Sequence, residues 1–377
     1  MDNNEGSTMI AYEAESLQLV ESPMALLHGT GQSLWLDNIT RGLLESGTLR
    51  DYARDYAITG LTSNPTIFEQ AVQNSNFYDE AIQEKTGNGR SAEDIFFELA
   101  LEDLVQAADL FRPVHDATDG IDGWVSLEVS PLLANDVPGT IFEVAQLHAR
   151  ADRPNLFIKI PGTPAGLLAI EESIFAGVPV NVTLLFSREQ YLAAAHAYLR
   201  GLERRLAEGL DLRVESVASL FVSRWDVAVK DKVSAALRNR LGIAVAQQAY
   251  AEYRALLASA RWQKLAAAGA HPQRLLWAST GTKDPAAPDT LYMQALAAPD
   301  TINTIPEKTL LAFADHGVVD HVMDPDGGDA EQLMTEFAHA GIDTLALAHE
   351  LQLEGTISFS KSWTALLAVI ASRVRIV

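Results

Sequence analysis

The chain has 377 residues, 48% of them hydrophobic, enough for one large α/β barrel or two modest domains and too apolar for general disorder. Fifty acidic residues against 28 basic ones give a net charge of −22, which argues against nucleic acid or an anionic membrane surface as a general partner. Cysteine is absent, so no disulfide framework or thiolate metal site is available, in keeping with a reducing compartment.

Residues 1–32 are polar, acidic and punctuated by Gly and Ser, and read as an N-terminal extension with one helix near the closed end of the fold that follows. The first basic residue is Arg41, and Asp2, Glu5, Glu13, Glu15 and Glu21 precede it, so the basic start of a secretory signal is missing. No apolar stretch reaches the ~18 residues of a membrane span. A cytoplasmic protein is expected.

From residue 33 short apolar runs alternate with helical stretches. The predicted strands are Ser33–Asp37, Ala57–Thr59, Gly123–Val129, Asn155–Ile160, Val178–Leu184, Glu215–Phe221, Arg274–Ser279 and Thr301–Ile305. Asn64-Pro65 supplies a cap and a first-turn proline for a helix over Thr66–Gln73. Ser91 with Asp94 opens a helix over Ile95–Phe111, and Ser187 with Gln190 opens one over Tyr191–Glu208. Pro164–Ala176 is a short helix, and Trp225–Ala268 is long enough for two helices or one with an extension. Ser362–Arg373 is expected to be a helix over the barrel mouth. Eight strands alternating with helices favour a (β/α)8 barrel over a doubly wound open sheet, the alternative fold. The expected division is an extension over 1–32, a barrel over 33–345 and a C-terminal helical segment over 346–377.

Strand parity tests the barrel. Leu34 and Leu36 oppose Trp35 and Asp37; Leu127 and Val129 oppose Ser126 and Glu128. Leu156, Ile158 and Ile160 oppose Asn155, Phe157 and Lys159. Val180, Val182 and Leu184 oppose Asn181 and Thr183, and Ala218, Leu220 and Val222 oppose Ser219 and Phe221. Each of the five has one apolar face for the helices and a second that turns polar toward its C-terminal end, where such barrels carry their chemistry.

The lumen set is Asp37, Asn64, Glu128, Lys159, Asn181, Thr183, Ser219 and Ser279. A lysine inside an apolar strand is costly unless it is used. Desolvation favours the neutral form of an amine, and a neutral amine attacks carbonyl carbon, which suggests a Schiff base; an edge-strand or snorkelling lysine is the structural alternative. Glu128 and Thr183 suit the proton traffic of carbinolamine formation and dehydration, and Asp37 could take the proton from a β-hydroxyl when a C–C bond breaks. The asparagines and serines would orient substrate hydroxyls. Arg224 and Lys283 follow the sixth and seventh strands, where these barrels bind phosphate, although either alone could be a surface cation. Nine histidines show no metal-ligand spacing, and no dinucleotide fingerprint or phosphate-binding loop occurs, so neither metal nor cofactor is expected. The acidic turn Asp324–Asp329 reads as a solvated loop, and Trp35, Trp124 and Trp277 as packing residues.

Thr59-Gly60-Leu61-Thr62-Ser63-Asn64-Pro65-Thr66-Ile67-Phe68, Val125–Val129, Phe157–Pro161 and Val180-Asn181-Val182-Thr183-Leu184-Leu185-Phe186 together resemble the transaldolase family, collinearly from about residue 33 to 310. The resemblance implies a class I aldolase-like TIM barrel with extra terminal helices. It also implies Schiff-base transfer of a dihydroxyacetone unit from sedoheptulose 7-phosphate to glyceraldehyde 3-phosphate, in the non-oxidative pentose phosphate pathway. Lys159 then looks like the Schiff-base residue, Asp37 like the acid/base for C–C cleavage, and Glu128 with Thr183 like the relay through water. Asn64, Asn181, Ser219 and Ser279 look like substrate contacts, and Arg224 like a phosphate ligand. The shorter transaldolases carry an arginine where this chain has Gly281; Lys283 would substitute, as in the longer Ser-Thr-Gly-Thr-Lys subfamily, here without room for a fused isomerase. The expected partners are sugar phosphates, not nucleic acid or membrane, in a monomer or homodimer. Rival readings are an aldolase that releases free dihydroxyacetone, which Phe221 disfavours because it has no phenolic hydroxyl near Lys159, and a non-catalytic sugar-phosphate binder.

Overall fold

The computed structural model describes residues 22–86 and 90–374. Most of the N-terminal extension, residues 1–21, lies outside these. Eight strands, β1 Ser33–Leu36, β2 Ile58–Thr62, β3 Val125–Glu128, β4 Leu156–Pro161, β5 Val180–Leu185, β6 Ser216–Phe221, β7 Arg274–Ala278 and β8 Ile302–Ile305, close in sequence order into one barrel. Every neighbouring pair is parallel, β1 with β8 included. Helices connect the strands, which makes this a (β/α)8 barrel. No helix among the described residues is long and apolar enough to cross a membrane.

The helix Pro23–Gly29 stands before β1, so the chain enters at the strands' N-terminal end. Gln32 Nε2 seals that entry by donating to Leu296 O and Thr301 Oγ1, at 2.7 and 2.9 Å. Arg274 plugs the same floor, donating to Ile121 O at 3.0 Å and to Ser33 Oγ and Thr301 O at 2.8 Å each. Trp124 stacks on Phe157 at 4.0 Å between ring centroids, and Trp35 Nε1 donates to Asp122 Oδ1 at 2.8 Å. An aromatic layer therefore fills the lower lumen and leaves the polar positions to the upper, C-terminal end. Trp35, Trp124 and Trp277 are all buried, as expected of packing residues.

Four local expectations are corrected. Strand β2 runs on to Thr62, past the expected end at Thr59. Gly60, just past that expected end, is a strand residue whose missing side chain makes room for the floor, since a Cβ there would stand 2.5 Å from Trp124 O and 2.8 Å from Trp35 Nε1. The helix expected over Ile95–Phe111 spans Ala92–Ala117 and passes through Pro113, which removes one hydrogen bond without ending the helix. The stretch expected to hold one or two helices has three, Ser223–Val229, Leu241–Ala258 and Ala260–Ala267. In β5 the alternation fails at Leu184, which sits at φ 57° where the register with β6 shifts.

The C-terminal helix is also longer than the Ser362–Arg373 expected, spanning Thr344–Val374. Trp363 packs edge-on against Phe96 at 4.9 Å, and Ser362 Oγ accepts from Thr66 Oγ1 at 2.8 Å. Gln352 Nε2 donates to Gly162 O at 3.1 Å and Leu184 O at 2.9 Å, tying the helix to the ends of β4 and β5. Ser358 and Phe359 of this helix line the cavity at the barrel mouth.

Candidate active site

Parallel register sets the upper lumen. Glu128 on β3 pairs with Lys159 on β4, which pairs with Asn181 on β5, so three polar side chains from adjacent strands point inward at one level. Lys159 is 4% exposed. Its Nζ donates to Ser63 O at 3.0 Å and lies 3.3 Å from Glu128 Oε2. The approach to Glu128 is an ionic contact; neither Glu128 carboxylate oxygen, nor Thr183 Oγ1, has a hydrogen-bond partner among the described residues. Buried acceptor groups with unspent capacity suit a proton-handling position. Burial pushes the Glu128 carboxyl above its ordinary value, the Lys159 ammonium opposes that by its charge and its close approach, and Asp37 adds to it.

Asp37 directly follows β1, and its backbone N–H donates to Ile305 O at 2.8 Å. Burial pushes its carboxyl up as well, opposed by Lys159, then by the Thr62 hydroxyl and then by Lys283. Two carboxyls raised by burial thus flank one amine from different strands. Such groups hold and release protons nearer neutrality than free carboxylates do.

A cavity of about 400 Å³ opens above them. Asp37, Asn64, Lys159, Ser219, Arg224, Ser279 and Lys283 all line it, with Phe221 beside them. Glu128, Asn181 and Thr183 lie buried beneath and do not line it. Asn181 is held at both ends, Nδ2 donating to Ser126 Oγ at 3.1 Å and Oδ1 accepting from Ser219 Oγ at 2.7 Å. Asn64 caps the Pro65–Gln73 helix through Oδ1, which accepts from Ile67 N–H at 3.0 Å. That leaves its amide N–H groups for the cavity. Ser279 adopts φ 57° just after β7, and its Oγ is 2.8 Å from Ser223 Oγ.

Arg224 and Lys283 also line a second cavity of about 500 Å³, with Lys232, Glu350 and Glu354. The Arg224 guanidinium lies 5.1 Å from the Phe221 ring centroid and forms no ion pair among the described residues. Burial pushes its pKa down, and Glu354 opposes that. An arginine and a lysine that both line a polar cavity have the chemistry to hold an anion. No group of three or more His, Asp or Glu residues that could hold a metal occurs among the described residues.

Sequence reasoning missed Thr62 and Thr304, and the contribution of Ser358 and Phe359; it put Ser126 on the lumen face without giving it a role. Thr62 was lost with the end of β2; counting alternate residues through Gly60 would have placed it in the lumen. Thr304 shares a face with Ile302 in β8 and was open to the same count.

The family model described as Transaldolase/Fructose-6-phosphate aldolase matches residues 34–370. The chain belongs to this family. It is 43% identical to a transaldolase of Parafrankia sp. (strain EAN1pec), over 94% of this chain and 99% of that one. It is 45% identical to a transaldolase of Saccharopolyspora erythraea, over 94% and 98%. A transaldolase of Thermobifida fusca is 44% identical over the same shares. Sugar phosphates are accordingly the substrate class.

Proposed function

We propose that this chain works as a transaldolase in which Lys159 carries a dihydroxyacetone unit from a ketose phosphate donor, sedoheptulose 7-phosphate or fructose 6-phosphate, to an aldose phosphate acceptor. The Lys159 amine attacks the donor ketone. Glu128, through a water shared with Thr183, delivers the proton that lets the carbinolamine lose water. Asp37 takes the proton of the hydroxyl β to the iminium, the C–C bond breaks, and an aldose phosphate leaves. The enamine stays on Lys159 and adds to the acceptor aldehyde, while Asp37 returns its proton. Hydrolysis of the new iminium, again through Glu128, frees the product. Asn64, Asn181, Ser219 and Ser279 orient the hydroxyls, and Arg224 with Lys283 grips the phosphate. A cytoplasmic monomer or homodimer is expected.

The observation that carries this reading is the Lys159–Glu128 contact of 3.3 Å in a buried site that Asp37 shares. Borohydride reduction with fructose 6-phosphate and peptide mapping tests it: a dihydroxyacetone-derived adduct is expected on Lys159. An adduct on another lysine, or none, overturns it. Release of free dihydroxyacetone is the second reading, since the family includes aldolases. Phe221 beside the cavity offers no hydroxyl to protonate the enamine and supports transfer. Donor cleavage as fast without acceptor as with it would favour release.

A further inference from the structure

Three strands meet at Asp37 in a way that the proposed chemistry leaves unused. Thr62 Oγ1, at the end of β2, donates to Asp37 Oδ1 at 2.9 Å. The same oxygen lies 2.6 Å from Thr304 Oγ1 of β8. A hydroxyl has one proton, so if Thr62 donates to Asp37 then Thr304 must donate to Thr62, and the pair has one direction. Thr304 is itself anchored, its carbonyl accepting from Thr280 Oγ1 at 3.1 Å. Both hydroxyls line the cavity, and Asp37 Oδ2 makes no hydrogen bond among the described residues.

We propose that Thr62, oriented by Thr304, is the positioning residue for Asp37, engaging Oδ1 and leaving Oδ2 to the substrate hydroxyl. The proposal rests on the reading of Asp37 as the acid/base group. In the cleavage step the proton of the β-hydroxyl passes to Oδ2, the O–H electron pair forms the aldehyde carbonyl, and the C–C pair moves into the enamine. Throughout, Oδ1 keeps its hydrogen bond from Thr62. The one-way hydroxyl pair favours the ionised carboxylate that must accept this proton, because a buried carboxylate gains more from a donor than its neutral form does. The charged groups that face Asp37 are Lys159 on β4, Lys283 after β7 and, more weakly, Glu128 on β3. Arg224 stands across the cavity and Glu307 lines the adjoining cleft. The C-terminal helix presents only Ser358 and Phe359, both uncharged.

Thr62→Val removes the donor at nearly constant volume, and Thr62→Ser keeps it. Three readouts are compared: the transfer kcat, its pH profile, and borohydride trapping with dihydroxyacetone, which requires Lys159 but no C–C cleavage. T62V is expected to lower kcat roughly ten- to hundredfold and to move the acid limb of the profile to higher pH. Trapping should stay within twofold of the parent, and T62S should restore most of the rate. Thr304→Val should act in the same direction but less. T62V with parental kcat and profile, trapping slowed as much as transfer, or no rescue by T62S overturns the proposal. Asp37→Asn separates the two layers. If D37N retains transfer, the reading of Asp37 fails; if D37N is inactive and T62V is not impaired, only the role of Thr62 fails.

Discussion

Glu128 and Lys159 face each other across the β3–β4 register, Oε2 and Nζ 3.3 Å apart, and the pair is closed off from solvent. Burial pushes the Glu128 carboxyl up, and the facing Lys159 charge opposes that. Glu128→Gln keeps the shape and removes the proton carrier. Schiff-base formation should slow by about 10² or more, while the affinity for an unreactive sugar phosphate changes little. Single-turnover trapping at Lys159 measures the first, and inhibitor titration the second. An unaffected trapping rate would remove Glu128 from the relay.

Lys159→Ala should abolish turnover and leave the fold intact, because Glu128, with its carboxyl already pushed up by burial, can take a proton in place of its lost partner. Circular dichroism and thermal unfolding at pH 6 and pH 8 check this. The variant should be relatively less stable at pH 8, where keeping Glu128 neutral is harder.

Gly355 lies inside the C-terminal helix, where glycine costs about 1 kcal/mol relative to alanine. Its reason is contact: a Cβ would stand 2.9 Å from Leu184 Cδ2 and 3.2 Å from Arg224 Nη1. Gly355→Ala should therefore leave stability near parental, with propensity gain offsetting the contact, yet displace the guanidinium. KM for the phosphorylated donor should rise about three- to tenfold with kcat less changed. Steady-state kinetics decide; an unchanged KM would mean that Arg224 swings aside freely or binds no phosphate.

The barrel was legible because alternation along each strand is imposed by the pleat, and both layers of a (β/α)8 barrel demand it. Lys159 stood out because a charge in an apolar strand has few uses. What stayed hidden depended on tertiary contact. Strand β2 runs on through Gly60, whose place in it is explained only by the crowding of Trp124 and Trp35. Leu184 reads as an outward residue until the register shift and the Gln352 bond to its carbonyl are seen. The run from Gly355 to Ser362, with its Ser, Thr, Ile and Gly, has weak helix propensity, and packing over the mouth overrides it. Asp37, Asn64, Lys159, Ser219, Arg224, Ser279 and Lys283 come to one cavity, but Glu128, Asn181 and Thr183 form a layer below it, a depth that parity cannot distinguish.

Gly60→Ala carries no chemistry and tests packing alone. The clash would be with a backbone carbonyl and a buried indole, neither of which is a flexible side-chain end. A loss of about 3 kcal/mol is expected, the upper end for overpacking. Urea unfolding measures it, and a loss under 1 kcal/mol would show that the floor can shift.

Glu143 gives the pH prediction with the clearest sign. It accepts a hydrogen bond from Ser130 N–H at 2.5 Å, and burial pushes its carboxyl up to about 7, partly opposed by that bond. The unfolded carboxyl has its ordinary value of 4.5, so between 4.5 and 7 the folded protein binds the extra proton. The stabilisation from protonating Glu143 is fully present below 4.5 and is lost as pH rises through 7. Gln at this position keeps an acceptor for Ser130 and never ionises. Glu143→Gln should thus be more stable than the parent at pH 8, by at most about 3 kcal/mol at 1.36 kcal/mol per unit. The gap should close as pH falls to 5. Thermal unfolding of both proteins across pH 5–8 reads this directly, and a gap that does not vary with pH would mean that the Glu143 carboxyl titrates at its ordinary value.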